Sequence, residues 1–343
     1  MSNKSKKIMS YRYISLKEFG GPEVLELEIK ENLPEPNEGE VRVKVLATSI
    51  NFTDTLIRRG IYPDVKAKPP ITPGYDMVGI VDKLGFGVTD FTEGQKVAEL
   101  TVIGAYSEYL ILPAKQLVHV PENVNAVEAV SMILSYVTAY QMLTRSANIK
   151  EGNKILIHGA GGAVGSALLQ IGSLFNLKMF GTASADQHDI LRESGCHPIN
   201  YKSEDFVQVI RDLEPNGLDA VFDPFGGDHF KRSIKTLNNK GKLVAFGAYN
   251  AKTQMDLIKS FLRVQIWNLT PWMPSTSFYS IGSWHKKRHG WFESDLKKLF
   301  VLLSEKKLKP LISKTIKIEE AKEAHELIEK GGLKGKLVIK MNN

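Results

Sequence analysis

Over the first third of the chain, apolar positions come in short, partly alternating runs separated by turn residues. Runs at 24–30 and 41–47 flank Pro34, Pro36 and Gly39, and runs at 77–84, 96–102 and 106–112 are punctuated by Pro73-Gly74, Gly85, Gly87 and Gly94. Such spacing predicts an antiparallel, barrel-like β unit. At 126–147 the period lengthens, and Val127, Val130, Ile133, Val137 and Tyr140 share one face of a predicted helix. Strand and helix patterns then alternate. Strands are predicted at 154–158, 178–182, 198–201, 219–223 and 242–246, with helices at about 163–175, 185–194, 204–213 and 227–237. That order predicts a doubly wound parallel sheet. Residues 251–292 break the pattern with Trp267, Trp272, Phe278, Tyr279, Trp284 and Trp291. They are too apolar for a solvent loop and read as a buried lid or a dimer contact. Regularity returns with a helix at 291–304, a strand at 314–318, an amphipathic helix at 318–328 stopped by Gly331-Gly332, and a last strand at 336–340.

The first strand of the parallel unit runs into Gly159-x-x-Gly162-x-x-Gly165, with Ala163 and Val164 opening the next helix. Glycines so spaced permit a tight turn, close approach of backbone to a pyrophosphate, and close helix–strand packing. The opening N–H groups and the helix dipole then face the anion. At the end of the second strand, where an acid would bind a ribose 2′-hydroxyl, stand Thr182 and Ser184. A carboxylate there would repel a 2′-phosphate, so its absence favours NADP. Ser184 can donate to the phosphate, and His188 or Arg192 can supply charge. Asp186 lies close by and pulls the other way, which keeps NAD open. In the barrel half, Asn51, Asp54, Arg58 and Tyr62 recur at about one helical turn and can share a face. They are candidate chemistry, or a helix cap with a structural ion pair.

Composition narrows the classes. Cys196 is the only cysteine in 343 residues, which excludes an intrachain disulfide and a four-cysteine zinc site. A reducing, cytoplasmic location is expected. No uninterrupted apolar run reaches the roughly eighteen residues that would span a bilayer. The polar start of the chain reads as a disordered tail over residues 1–10, not a secretory signal. Net charge is +7, but the lysines are scattered and a nucleic-acid partner is not expected. The dense cluster is His285-Lys-Lys-Arg-His289, flanked by Trp284 and Trp291. It reads as a solvated basic loop, with phosphate, RNA or anionic lipid as alternatives. The two histidines have a metal-binding spacing, but the three basic residues between them oppose a cation, and no metal is expected.

Taken together, the pieces resemble the medium-chain dehydrogenase/reductases, specifically the zinc-free quinone oxidoreductase (zeta-crystallin-like) branch, over almost the whole chain. The resemblance rests on Gly20-Gly21-Pro22, Asn51-x-x-Asp54-x-x-x-Arg58-x-Gly60-x-Tyr62, Pro73-Gly74-x-Asp76, Gly104-Ala-Tyr106, the glycine turn, Asp223-x-x-Gly226-Gly227 and Gly335-Lys336. It implies a GroES-like β-barrel catalytic domain, residues 11–133 and 306–343, around an inserted NADP-binding Rossmann domain, residues 134–305, that carries the aromatic segment 251–292. It also implies a homodimer, with Val264-Gln-Ile-Trp267 as the sheet-pairing edge, and NADPH as cofactor. The implied catalytic residues are Asn51, Asp54, held through Arg58, and Tyr62. The cofactor contacts are Thr138, Gly159, Gly162, Ala163, Val164, Gly165, Ser184, His188, Tyr201, Gly247, Ala248, Gly335 and Lys336. The expected reaction is hydride transfer to a small-molecule quinone or α,β-unsaturated carbonyl.

The departures are informative. Zinc-dependent relatives carry Cys where Asn51 stands and Gly-His-Glu where Gly74-Tyr75-Asp76 stands, so both ligands of a catalytic zinc are missing. Leu56 occupies the place of a second tyrosine, and Leu134-Ser135 that of a usual Leu-Pro. The aromatic segment looks most like the vesicle-amine-transport-1-like branch. An NADPH-binding protein without catalysis, acting through that segment on RNA, lipid or a partner, is the alternative.

Overall fold

The computed structural model describes residues 9–270 and 273–341. Strands β1 (Ser10–Leu16) and β2 (Leu25–Glu31) form an antiparallel pair at the start. A second sheet contains β3 (Glu40–Ile50), β4 (Met77–Leu84), β5 (Lys96–Glu99), β6 (Tyr109–Pro113) and β7 (Val118–His119). A third contains β8 (Lys154–His158), β9 (Lys178–Ala183), β10 (Cys196–Asn200), β11 (Leu218–Asp223), β12 (Leu237–Ala245) and β13 (Ser275–Phe278). The chain then returns to the second sheet with β14 (Ile312–Ile316) and β15 (Lys336–Lys340), giving the order β14-β15-β3-β4-β5-β7 with β6 also on β3.

The two sheets bury their residues differently, as their patterns dictate. In β3, Val41, Val43 and Val45 point into the barrel and are at most 1% exposed, while Lys44 between them is less buried. In β8, Ile155, Leu156 and Ile157 are all fully buried, because helices cover both faces of a parallel sheet. That sheet runs β10-β9-β8-β11-β12-β13 with every neighbouring pair parallel. Strand order reverses between β8 and β11, so a crevice opens at the carboxyl ends of these strands, where open α/β sheets hold ligands. The fold is thus a Rossmann-like parallel sheet joined to a GroES-like barrel.

Ten helices among the described residues matter below: α1 (Phe52–Arg58), α2 (Ala126–Ser146), α3 (Ala163–Leu174), α4 (His188–Glu193), α5 (Phe206–Leu213), α6 (Asp228–Ile234), α7 (Gln254–Asn268), α8 (Ile281–Lys287), α9 (His289–Ser304) and α10 (Ala321–Lys330). By length and composition α2 could cross a membrane, but 78% of its most apolar window is buried in the protein, which makes it a core helix. Two π-helical turns widen it, at Met132–Tyr136 and Met142–Ser146.

Two expectations change. The tail expected over residues 1–10 stops short, since Ser10 already pairs with Glu31; residues 1–8 lie outside the described residues. The same is true of Pro271 and Trp272 in the aromatic segment. Val264–Trp267 is not a strand but part of α7. Thr253 caps that helix in a reciprocal box with Asp256, and a capped fifteen-residue helix outweighs the local β preference of Val, Ile and Trp. The sheet edge among the described residues is β13 instead, which pairs there with β12.

Candidate active site

The glycine turn is shaped by contacts that only glycine tolerates. Gly159 leaves β8 at φ +66°. A Cβ on Gly165 would sit 2.3 Å from the Gly159 carbonyl oxygen and 2.6 Å from Ala160 Cα, so this residue sets how closely α3 approaches the turn. Gly162 is the N-cap of α3 and supplies no side-chain cap, so the first N–H groups of the helix remain available to a ligand. From the far end of the chain, Gly335 N donates to Gly161 O at 3.3 Å. This contact brings Lys336 to the turn.

A cavity of about 1010 Å³ starts at this turn and runs into the seam with the barrel. Gly159, Gly162, Ala163, Val164, Gly165, Ser184, Tyr201, Gly247, Ala248, Thr138, Gly335 and Lys336 all line it, as do Asn51 and Tyr62 from the barrel side. His188 does not line it, and its Nε2 is buried with no partner among the described residues. Arg232 lines the cavity in its stead. It lies over the Phe206 ring at 4.5 Å and donates to Asp205 Oδ1 at 2.9 Å, and it shares the cavity wall with Ser184 and Tyr201. Arg232 sits on α6, some fifty residues from the strand end that carries the usual signal, so no local pattern marked it. Asp186 is exposed and held by Lys334, which donates to its backbone oxygen at 2.9 Å.

The floor of the cavity near β8 is a buried polar network. His158 reaches Thr182 Oγ1 at 3.0 Å and Ser233 Oγ at 3.1 Å, and Asp223 Oδ2 accepts from Ser233 and meets His229 Nδ1, both at 2.6 Å. Burial pulls the His158 pKa down to about 3, so it is neutral with both nitrogens engaged.

Across the seam, Asn51 is the N-cap of α1. Its backbone N–H and Nδ2 donate to Asp54 Oδ2 at 2.8 and 3.2 Å, forming a capping box. Asn51 Oδ1 accepts from Lys336 Nζ, which also donates to Ser135 Oγ at 3.0 Å. Ser135, at the position where the family has proline, therefore anchors this lysine. Asp54 is fully buried and absent from the cavity wall. Its expected partner was Arg58, but Arg58 donates to Glu329 Oε1 on α10 at 2.5 Å. An inter-helix partner has displaced the local i,i+4 pairing. Burial raises the Asp54 pKa to about 7, and the nearby Asp76 adds to the rise, while the bonds from Asn51 oppose it. Asp54 thus positions Asn51 and does not itself meet a ligand. Asp76 accepts from Ser49 N and Oγ at 2.9 and 2.6 Å. Burial draws the Lys336 pKa down, against the pull of Asp76 and Asp54.

Tyr62 OH and Tyr75 OH are 2.8 Å apart, and burial raises both phenol pKa values, so both keep their protons at neutral pH. Thr138 Oγ1 is buried against the cavity with no partner among the described residues. Phe52 of α1 packs on Tyr249 across the seam, ring centroids 4.1 Å apart. In the aromatic segment, Trp291 lies under both Arg145 and Arg288, at 4.5 and 4.1 Å, and Trp284 packs on Tyr279 and Trp291. These aromatics are turned onto the protein itself.

Comparison with known proteins agrees with this arrangement. The model of the alcohol dehydrogenase GroES-like domain matches residues 37–122, and that of the zinc-binding dehydrogenases matches residues 194–339. The mouse (Mus musculus) synaptic vesicle membrane protein VAT-1 homolog-like is 31% identical over 96% of this chain and 81% of its own length. The zebrafish (Danio rerio) VAT-1 homolog is 35% identical over 70% of this chain, and the match spans half of that relative's length. The crystal structure of Escherichia coli quinone oxidoreductase complexed with NADPH superposes with a TM-score of 0.87 at 26% identity, covering 96% of this chain and 99% of the other.

The chain therefore belongs to the medium-chain dehydrogenase/reductase family of oxidoreductases. Within it, the chain stands with the zinc-free quinone oxidoreductases, near the VAT-1 homologues.

Proposed function

We propose that this protein is an NADPH-dependent reductase of a small conjugated acceptor, a quinone or an α,β-unsaturated carbonyl, and that it works without zinc. The observation that carries this reading is the continuous cavity that joins a phosphate-cradling turn to Asn51 and Tyr62. The residues fit the cofactor: the glycine turn would hold the pyrophosphate, Ser184, Tyr201 and Arg232 the 2′-phosphate, and Thr138, Gly247 and Ala248 the nicotinamide end. The unpartnered Thr138 Oγ1 supports the last assignment. The bound dinucleotide supplies a hydride.

The chain's own residues do the rest. Lys336 and Asp54 fix the Asn51 amide from two sides, through its Oδ1 and its Nδ2, so that its orientation is set before a ligand arrives. Tyr62, protonated at neutral pH, can donate a hydrogen bond toward oxygen charge that develops on the acceptor. Asn51 and Tyr75 offer neither thiolate nor imidazole, a donor set unsuited to catalytic zinc. A conjugated acceptor spreads its developing negative charge and needs less help than an isolated carbonyl. The two-unit division, residues 11–133 with 306–343 and residues 134–305, belongs to this reading. It is supported by β14 and β15 joining the barrel sheet. A homodimer formed through the free edge of β13 belongs to it as well.

Steady-state oxidation of NADPH across a panel of quinones and enals tests the proposal. Turnover with at least one class is expected. Tight NADPH binding with no turnover would favour a binding role, for which Phe261, Leu262 and Ile266 of α7 offer an exposed apolar surface while Trp284 and Trp291 pack inward.

A further inference from the structure

Glu99 ends β5 and is only 1% exposed. A buried carboxylate without compensation is costly, yet its Oε2 has no hydrogen-bond partner among the described residues. Its Oε1 faces His285 Nε2 at 2.9 Å, in a geometry that does not qualify as a hydrogen bond. His289 follows one turn later at the start of α9, its ring 5.0 Å from that of His285. One ligand atom from each of Glu99, His285 and His289 lies within 4.8 Å of the other two. His289 Nε2 is 3.2 Å from the Gln116 carbonyl oxygen. Donating Nε2–H to that carbonyl leaves the Nδ1 lone pair free, the way metal-binding histidines are commonly oriented. The intervening Lys286, Lys287 and Arg288 are exposed, and Arg288 lies over Trp291. Water screens their charge, while the two histidines turn inward toward a buried anion.

We propose that Glu99, His285 and His289 form a divalent transition-metal site, with zinc the ion best matched to two imidazoles and one carboxylate. None of the three lines the cofactor cavity, so the site is separate from the proposed chemistry and does not depend on it. Metal–ligand bonds of about 2.1 Å in tetrahedral geometry draw the three atoms to roughly 3.4 Å apart, within reach of side-chain rotation. A water completes the shell. Because Glu99 and Gln116 belong to the barrel sheet region and the histidines to α8 and α9, the metal acts as a clamp between these elements.

The test uses the full chain, stripped with a chelator and titrated with zinc alone by calorimetry, with cobalt(II) as a visible-absorption probe of the ligand set. One zinc per chain is expected, together with the intense absorption of four-coordinate cobalt. Glu99→Gln, His285→Ala and His289→Ala should each weaken zinc binding by at least the roughly 10–100-fold that loss of an outer-shell partner costs. The near-isosteric Glu99→Gln should keep the wild-type circular dichroism spectrum, which separates lost ligation from lost fold. Failure of the folded wild-type chain to bind zinc stoichiometrically, or binding that survives all three substitutions, would overturn the proposal.

Discussion

The Lys336 ammonium donates to the Asn51 side-chain oxygen across 285 positions of the chain. This bond ties the last strand of the barrel, whose start contacts the glycine turn, to the N-cap of α1. Lys336 is 3% exposed, and two fully buried carboxylates, Asp54 and Asp76, lie close enough to act on its charge. Replacing it with methionine leaves those carboxylates without a cation. Lys336→Met should cost about 3–5 kcal/mol in chemical denaturation. Adding Asp76→Asn should recover part of the loss. A single variant as stable as wild type would show that the cluster is not held by this lysine.

Coenzyme choice should follow the cavity wall and not the strand-end histidine. Arg232→Ala should weaken NADPH binding by about 10-fold or more, and Ser184→Ala by less, with NADH affinity nearly unchanged. His188→Ala should leave the ratio of the two affinities as it is. Fluorescence titration with both dinucleotides measures this. A ratio that responds to His188 and not to Arg232 would reverse the assignment.

Gly165→Ala places a methyl group 2.3 Å from the Gly159 carbonyl oxygen. Neither the turn nor α3 can yield without giving up the strand–helix contact. Overpacking of this kind typically costs about 1–3 kcal/mol, and dinucleotide affinity should fall with it. A thermal melt beside a binding titration reads both effects.

The pH dependence of stability should carry the mark of Asp54. Its pKa in the folded protein is raised to about 7 from 3.8. Between those values the folded state holds a proton that the unfolded state has released. Stability from this group is therefore greatest below about pH 4 and declines as pH rises to about 7, by an amount on the order of a few kcal/mol. Burial also raises Asp76, which adds in the same sense, while the lowered pKa of Lys336 acts with the opposite sign. Asp54→Asn should flatten the acid-side slope of Tm against pH. An unchanged slope would remove Asp54 as its source.

Some of this was legible in the chain and some was not, for physical reasons. Met77–Leu84 and Lys154–His158 carry enough apolar pattern, bounded by glycine, to place their strands to the residue. Val264–Trp267 misled, since its β-branched and aromatic residues favour a strand until the cap at Thr253 is weighed over the whole of α7. Arg58 has Asp54 at helical spacing, but Glu329 of α10 is its partner, and tertiary pairings leave no local trace. Ser135 stood out only as a departure from a usual proline, because its role depends on a lysine two hundred and one positions away. The glycine turn was readable because it is a local backbone demand. Arg232 and Glu99 were hidden because each acquires its neighbours only in the folded chain.

The central claim is that the cavity between the glycine turn and Asn51 passes a hydride to a conjugated acceptor. Single-turnover oxidation of NADPH, deuterated at the transferring position and mixed with enzyme and a quinone or enal, tests it most directly. Acceptor-dependent loss of the reduced-nicotinamide absorbance with a primary isotope effect is expected, slowed by about 10-fold or more in Asn51→Ala. Tight binding of NADPH with no acceptor-dependent oxidation, or oxidation indifferent to both deuterium and Asn51, would contradict it.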